Sequence, residues 1–229
     1  SGPIAPVMDR WSLAPDDLAR RPGYRSDAGS RAEDIRTAKQ LWAAAVGTEF
    51  VELRIIFAGV PKAIPGRAIE AITRQLAEVL SAKVTAQTDP TGQTLIAAAL
   101  VRNVEGATES VAPLTFAIED GGVDMDDWLY PHFRSGQAMN SYRLQDPRLD
   151  ALLDESRAEF DAEARHRIAI DAQDYLLAKA NARLEFCAPI ERRLRWGYVR
   201  NATLPTWYGH DETLADVWLD TAHPAWRTR

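Results

Sequence analysis

The chain has 229 residues, of which 46% are hydrophobic and 26% charged, and a formal net charge of −6. This is ordinary globular usage with length enough for a buried core, and the acidic balance argues against the basic face that a nucleic-acid partner requires. The longest apolar run, Leu95–Val101, falls far short of the roughly 18–20 residues of a membrane span.

Residues 1–29 are punctuated by Pro3, Pro6, Pro15 and Pro22 and read as an irregular lead-in. The start, Ser1-Gly2-Pro3, has neither the basic nor the apolar region of a signal peptide; a cytosolic protein, or a precursor that began earlier, fits that start. Ser30 and Glu33 have capping-box spacing and open a helix. Ile35, Ala38, Leu41, Trp42 and Ala45 form its core face, and Gly47 is a good C-cap. Val51, Leu53, Ile55 and Phe57 alternate, so this reads as a strand. A helix follows from Gly66 to Leu80, with Ile69, Ile72, Leu76, Val79 and Leu80 on one side. Lys83–Thr88 reads as a short strand. Asp89 and Pro90 fit the N-cap and first position of a further helix through Leu100.

Pro113–Ile118 supplies a third strand. Strands alternating with helices predict an α/β layer with a mixed, mostly parallel sheet flanked by helices. Gly121-Gly122 then forces a turn. Asp124–Phe133 reads as a short helix interrupted at Pro131, and Asn140–Gln145 as a polar loop. Two long helices come next. Pro147–Phe160 groups Leu149, Leu152, Leu153 and Ser156. Ala162–Ala180 groups Ile168, Ile170, Ala172, Leu176 and Leu177, with Asp161 as its N-cap. Short strands are expected at Arg183–Ala188 and Tyr198–Asn201.

Chemistry is concentrated in the carboxylates Glu119, Asp120, Asp124, Asp126 and Asp127. The last three stand at a helix start, where capping and the helix dipole explain them. Glu119 and Asp120 instead follow an apolar strand and precede a glycine turn. Ligands of open α/β sheets sit beyond the carboxyl ends of strands, so Asp120 is a binding candidate. The acidic spacing does not match a calcium loop. The single cysteine, Cys187, can form no internal disulfide, lacks a partner at zinc-ligand spacing and reads as a small buried hydrophobe. Neither a metal nor a cofactor is expected. The four histidines are scattered, and His166, between Arg165 and Arg167, reads as solvated. Arg192, Arg193 and Arg195 read as a solvated face. No nucleophile elbow, phosphate-binding glycine loop or dinucleotide fingerprint is present, so no enzymic reading has support. Of the seven tryptophans, Trp42 reads as core, while Trp128, Trp196 and Trp207 lie nearer loops and could line a pocket.

The order of short motifs carries a resemblance. Asn140-Ser141-Tyr142, then Asp146-Pro147-Arg148-Leu149-Asp150-Ala151-Leu152-Leu153, then Arg157, resembles the "N-x-Y…(N/D)P-x-(L/V)D-x-L-L" segment of family 5 extracellular solute-binding proteins. These are the peptide- and nickel-binding components of ABC transporters. Asp161-Ala162-Glu163-Ala164-Arg165 and Ala172-Gln173 match that family's "D-x-E-x-R" and "A-Q" helix. Gly2-Pro3-Ile4-Ala5-Pro6, Tyr24 with Asp27, Ala38-Lys39-Gln40-Leu41-Trp42, and Val217-Trp218-Leu219-Asp220 match further pieces, so the likeness runs along nearly the whole chain.

The resemblance implies a lobe of the type II periplasmic-binding-protein architecture. Residues 30–229 would form the carboxy-terminal ligand-binding lobe, with residues 1–29 leading in from an amino-terminal lobe outside this chain. It implies capture of a small molecule or peptide for an importer, with ABC permease subunits as partners and no catalysis. The location would be periplasmic or extracellular, with a lipid anchor possible in such proteins. A sensory module of the same fold is the alternative, and a carboxylate-based hydrolase a remote one. The implied ligand-binding residues are Asp120, Glu119, Trp128, Asn140 and Tyr142, with Asp120 placed to accept a peptide's α-amino group. Two departures bear on specificity. Ala117 stands where the family often has Trp, and Met125 replaces a common Pro, with one extra residue between Asp120 and Asp124.

Overall fold

Glu52–Ala58 forms β1, with Lys83–Asp89 (β2) on one side and Leu114–Phe116 (β3) on the other, both parallel to it. The computed structural model describes residues 2–47, 52–58, 64–89, 114–116, 124–140, 143–180, 184, 194–202 and 216–226. The chain divides into two compact units. One comprises Ser1–Leu13, Asp120–Pro131 and Arg148–Arg229; the other comprises Ala14–Glu119 and His132–Pro147.

The sheet belongs to the second unit. Its register pairs Glu52 with Lys83, whose ammonium meets the Glu52 carboxylate at 3.1 Å. Ile55 and Ile56 are both buried, at 3% and 2% exposure. β1 is the expected strand; it is central, and residues on both of its faces are covered, as in strands of parallel sheets. Helix α3, Ile64–Leu80, packs on β2 with Ile69 buried and Ile72, Leu76, Val79 and Leu80 half-buried. Its apolar side is the expected one, with the helix starting two residues earlier than the glycine. On β2, Val84 is half-buried and Ala86 exposed.

A short helix α1, Pro15–Leu18, precedes α2, Ala28–Val46, which also packs on α3. The N-cap of α2 is Asp27, not Ser30; the Asp27 carboxylate accepts the Ser30 N–H at 2.8 Å. Asp27 and Ser30 both favour caps, and the earlier one wins because it satisfies a free amide and adds a turn. Gly47 ends the helix at φ 62°, ψ −127°, its N–H bonded to the Ala43 carbonyl at 2.9 Å; only glycine takes that conformation without cost. The expected core face of α2 is not seen: Leu41 is 67% exposed, Ala38 and Ala45 are exposed, and Ile35 and Trp42 only half-buried. Within α2, Asp34 accepts from the Gly23 amide at 2.9 Å and pairs with Arg25, which holds its carboxyl below the usual range.

The first unit is helical. Met125–Phe133 (α4) starts there, followed by α5, Pro147–Ala158, and α6, Ala162–Tyr175. Pro131 lies inside α4 without ending it; the helix runs two residues further. α5 buries Leu149, Leu152, Leu153 and Ser156, the four residues its spacing groups. It ends at Ala158, and Phe160 beyond it is 97% exposed. α6 is capped by Asp161, whose carboxylate accepts the Ala164 N–H at 2.8 Å. The expected helix through Ala180 changes character: Leu176–Ala180 is a π-helical turn. Ile168, Ala172 and Leu176 are buried as expected, whereas Ile170 and Leu177 are half-buried.

The lead-in contributes to this core. Ile4, Met8, Trp11 and Leu13 are buried. The Gln173 amide, itself fully buried on α6, donates to the Trp11 carbonyl at 2.7 Å. His166, expected to be solvated, is half-buried beside the Trp11 ring, 6.5 Å between centroids. A two-stranded antiparallel ribbon, Val199–Arg200 (β4) with Trp218–Leu219 (β5), carries a stack of Trp196 on Tyr198. Cys187, Trp207, Arg192 and Arg193, most of the Arg183–Ala188 strand and the helix after Pro90 lie outside the described residues.

Candidate functional site

In the second unit, sheet order β2-β1-β3 fixes where a ligand crevice can open. From β1 the chain crosses to β2 on one side and later returns to β3 on the other. The topological switch point therefore lies between the carboxyl ends of β1 and β3, where the backbones of Phe57 and Phe116 are register partners. Loops leaving two such strands diverge, and ligands of open α/β sheets bind in the resulting crevice. Glu119 and Asp120 follow Phe116 by three and four residues. They and Tyr142 lie outside the described residues.

In the first unit, α4 begins at a reciprocal cap. The Asp124 carboxylate accepts the Asp126 amide at 3.0 Å, and the Asp124 amide donates to the Asp127 carboxylate at 3.2 Å. This is a variant of the capping box, with Asp in place of the usual Glu at N3 and the cap carboxylate taking the N2 amide. Arg165, on α6, forks onto the Asp124 carboxylate at 2.9 and 2.6 Å and reaches Asp126 at 3.2 Å. Its Nε donates to the Ser156 carbonyl at 3.1 Å, and its guanidinium lies 5.0 Å from the centre of the Trp11 ring. Arg157 approaches Asp126 at 3.4 Å while covering the Tyr130 ring. Burial pushes the Asp126 carboxyl up; Arg165 opposes that shift and the neighbouring Asp124 adds to it. Asp124 and Asp127 thus cap this helix start as the sequence suggested, and the Asp126 carboxylate pairs with Arg157 and Arg165.

Trp128 is not on a loop. It is a buried residue of α4, 6% exposed, and its indole N–H donates to the Pro3 carbonyl at 2.7 Å. In the second unit, Asn140 is 3% exposed. Its side-chain amide donates to the Arg134 and Leu144 carbonyls at 3.2 and 2.8 Å, and its oxygen accepts the Leu144 amide at 3.1 Å. It closes the loop as a strand partner would, with Arg143 turned to φ 52° inside it. In this structure Trp128 and Asn140 each spend polar atoms on their own unit's backbone.

Arg165 and Gln173 are the residues that reading for ligand chemistry missed. Both sit in the motifs that carry the resemblance, Arg165 ending "D-x-E-x-R" and Gln173 ending "A-Q". Spacing alone gives no sign that their partners are Asp124 and Trp11, 41 and 162 residues away. Among the described residues no group of three or more His, Cys, Asp or Glu is placed to hold a metal ion. No helix among them is long and apolar enough to cross a membrane.

The mixed α/β fold, with its small parallel sheet and flanking helices, is that of periplasmic peptide-binding proteins. It is similar to OppA of Burkholderia pseudomallei, with TM-score 0.65 and 15% identity, covering 87% of this chain and 37% of that one. It is likewise similar to the Escherichia coli murein tripeptide binding protein MppA, with TM-score 0.57 and 18% identity, covering 75% of this chain and 32% of that one. A third is the ABC transporter-associated periplasmic binding protein DppA from Helicobacter pylori, in complex with the peptide STSA. There the TM-score is 0.52 at 18% identity, covering 76% of this chain and 30% of that one. The chain thus spans about a third of the length of these proteins. No protein-family model matches the sequence, and no curated protein matches it.

Proposed function

We propose that this chain forms the carboxy-terminal lobe of a two-lobed solute-binding protein, periplasmic or extracellular, that captures an oligopeptide or related small solute for an ABC importer. The carrying observation is the switch point of the β2-β1-β3 sheet, with Glu119 and Asp120 just beyond β3. On this reading Asp120 accepts the ligand's cationic end, Glu119 adds negative potential and Tyr142 adds an aromatic wall.

The activity is capture without bond chemistry. An amino-terminal lobe outside this chain supplies the other wall, and closure of the two lobes follows from ligand contacts that exist only when both are engaged. Permease subunits receive the ligand. No cofactor is called for. The similar solved structures support this reading through their fold and through the peptide complex of one of them.

The experiment is native mass spectrometry of the full-length protein purified under gentle conditions, followed by calorimetry with whatever co-purifies. A peptide or other small cationic-ended solute is the expected passenger. A preparation that binds no peptide from a broad library, with or without a free amino terminus, sinks the reading.

A further inference from the structure

Trp11 is where the lead-in is pinned to α6. It is a buried residue, and its carbonyl takes the Gln173 amide at 2.7 Å. His166 lies seven residues before Gln173, two turns along the same side of α6, and its ring centre is 6.5 Å from that of Trp11. Two guanidinium groups attend the same indole, Arg165 at 5.0 Å and Arg10 at 5.5 Å from its centre. His166 Nδ1 is buried and, among the described residues, has no hydrogen-bond partner.

That arrangement suits a neutral imidazole and opposes a charged one. With its proton on Nε2, the ring leaves only a lone pair at Nδ1. A second proton turns Nδ1 into a buried donor with nothing to receive it, which is costly. It also brings a third positive charge to one indole. An aromatic ring attracts cations out to about 6 Å from its centre, and the imidazole lies beyond that range. The acids nearby are engaged elsewhere. Asp124 and Asp126 pair with Arg165, and Glu163, one turn before His166, faces Arg10 at 3.6 Å. Asp9 accepts the Arg10 amide, and Arg167 is exposed. Within this group burial pushes the Asp126 carboxyl up, so it is the acid whose titration must be separated from that of His166.

We propose that His166 is a proton-operated release for the lead-in: neutral, it lets Trp11 seat on α6, and protonated, it loosens residues 2–13 from that helix. Histidine is the side chain whose charge ordinarily changes between about pH 5 and pH 8, so the release acts in mild acid. Leu152 and Leu153 on α5 are buried apolar residues that carry no titrating group and serve as the internal reference.

The test is amide hydrogen exchange on the full-length protein at about pH 8 and about pH 5, in wild type, His166→Gln and His166→Phe, with rates corrected for the intrinsic effect of pH. In wild type, residues 2–13 are expected to exchange about tenfold faster at the lower pH, given what an unpaired buried donor costs, while the amides of Leu152 and Leu153 keep their protection. In both variants the difference should vanish. Equal corrected rates in wild type overturn the proposal. A difference that persists in either variant also overturns it, and assigns the release to carboxylates such as Asp126. Acceleration spread evenly over the whole unit does so too, as general acid unfolding. Where neither variant folds, imidazole NMR of the wild type decides: the exchange midpoint coincides with the titration of the His166 ring, and a midpoint elsewhere overturns the proposal.

Discussion

Arg165 and Asp124, 41 residues apart, meet through two parallel hydrogen bonds of 2.6 and 2.9 Å that join the start of α4 to the first turn of α6. Asp124 serves two structural purposes at once, as helix cap and as ion-pair partner. Asp124→Ala removes both. The cap alone contributes about 1 kcal/mol, and loss of the carboxylate leaves the largely enclosed Arg165 with Asp126 as its remaining acidic partner. Both side chains retain some solvent contact, 21% and 33%, so the expected loss is about 2 kcal/mol in total. Urea unfolding of the full-length protein reads it as a lower midpoint at unchanged slope.

Gln173→Ala should destabilise by about 2–3 kcal/mol. It opens a cavity at a fully buried site and leaves the Trp11 carbonyl without its 2.7 Å donor. The same change should speed proteolytic cleavage within residues 2–13, because the lead-in is tied to α6 through this bond. Equal cleavage rates for variant and wild type would show that burial of Ile4, Met8 and Trp11 holds the segment without it.

Much of this was legible locally and little of it at long range. The spacing of Leu149, Leu152, Leu153 and Ser156 declares a buried face because helical periodicity needs only neighbours in sequence. Asp161 as a cap is legible for the same reason. Asp27 displaced Ser30 because two good caps stood three residues apart, and sequence cannot say which free amide goes unsatisfied first. Ile56 defied the alternation because coverage of β1 from its other face is a tertiary fact. Trp42 illustrates the reverse: helical spacing marks it as core, yet α2 buries none of its residues. The candidate acids are legible as a position, after the third strand. The fork of Arg165 on Asp124 joins residues that no local pattern connects.

Asp126 should make its own contribution to stability fall as pH rises. Burial holds its carboxyl above the usual range, so it binds a proton more readily folded than unfolded. Such a group stabilises at low pH, and the contribution is lost as pH climbs through its folded value. Asp27, Asp34 and Asp220 act oppositely: their carboxyls are held low, so their stabilisation is lost as pH falls. Asp126→Asn is therefore expected to raise the melting temperature at pH 7, with the gain shrinking towards pH 3. A variant less stable than wild type at pH 7 would mean that pairing with Arg165 and Arg157 outweighs burial.

Asn140→Ala should loosen its loop without unfolding the protein. Three hydrogen bonds to Arg134 and Leu144 depart together from a side chain only 3% exposed. The expected cost is about 2–3 kcal/mol, from the buried groups left unpaired. Hydrogen exchange should quicken at residues 135–144, including the Leu144 amide. Protection retained there would assign the loop's shape to its neighbours.

On the proposed reading Asp120 helps to hold the cationic end of a captured solute, and the decisive measurement is calorimetry on the full-length protein with its co-purifying ligand. Asp120→Ala is predicted to weaken binding by about 1.5–3 kcal/mol, the range for a hydrogen bond to a charged group, with the melting temperature of the unliganded protein unchanged. An affinity equal to that of wild type would contradict the account and remove Asp120 from the site.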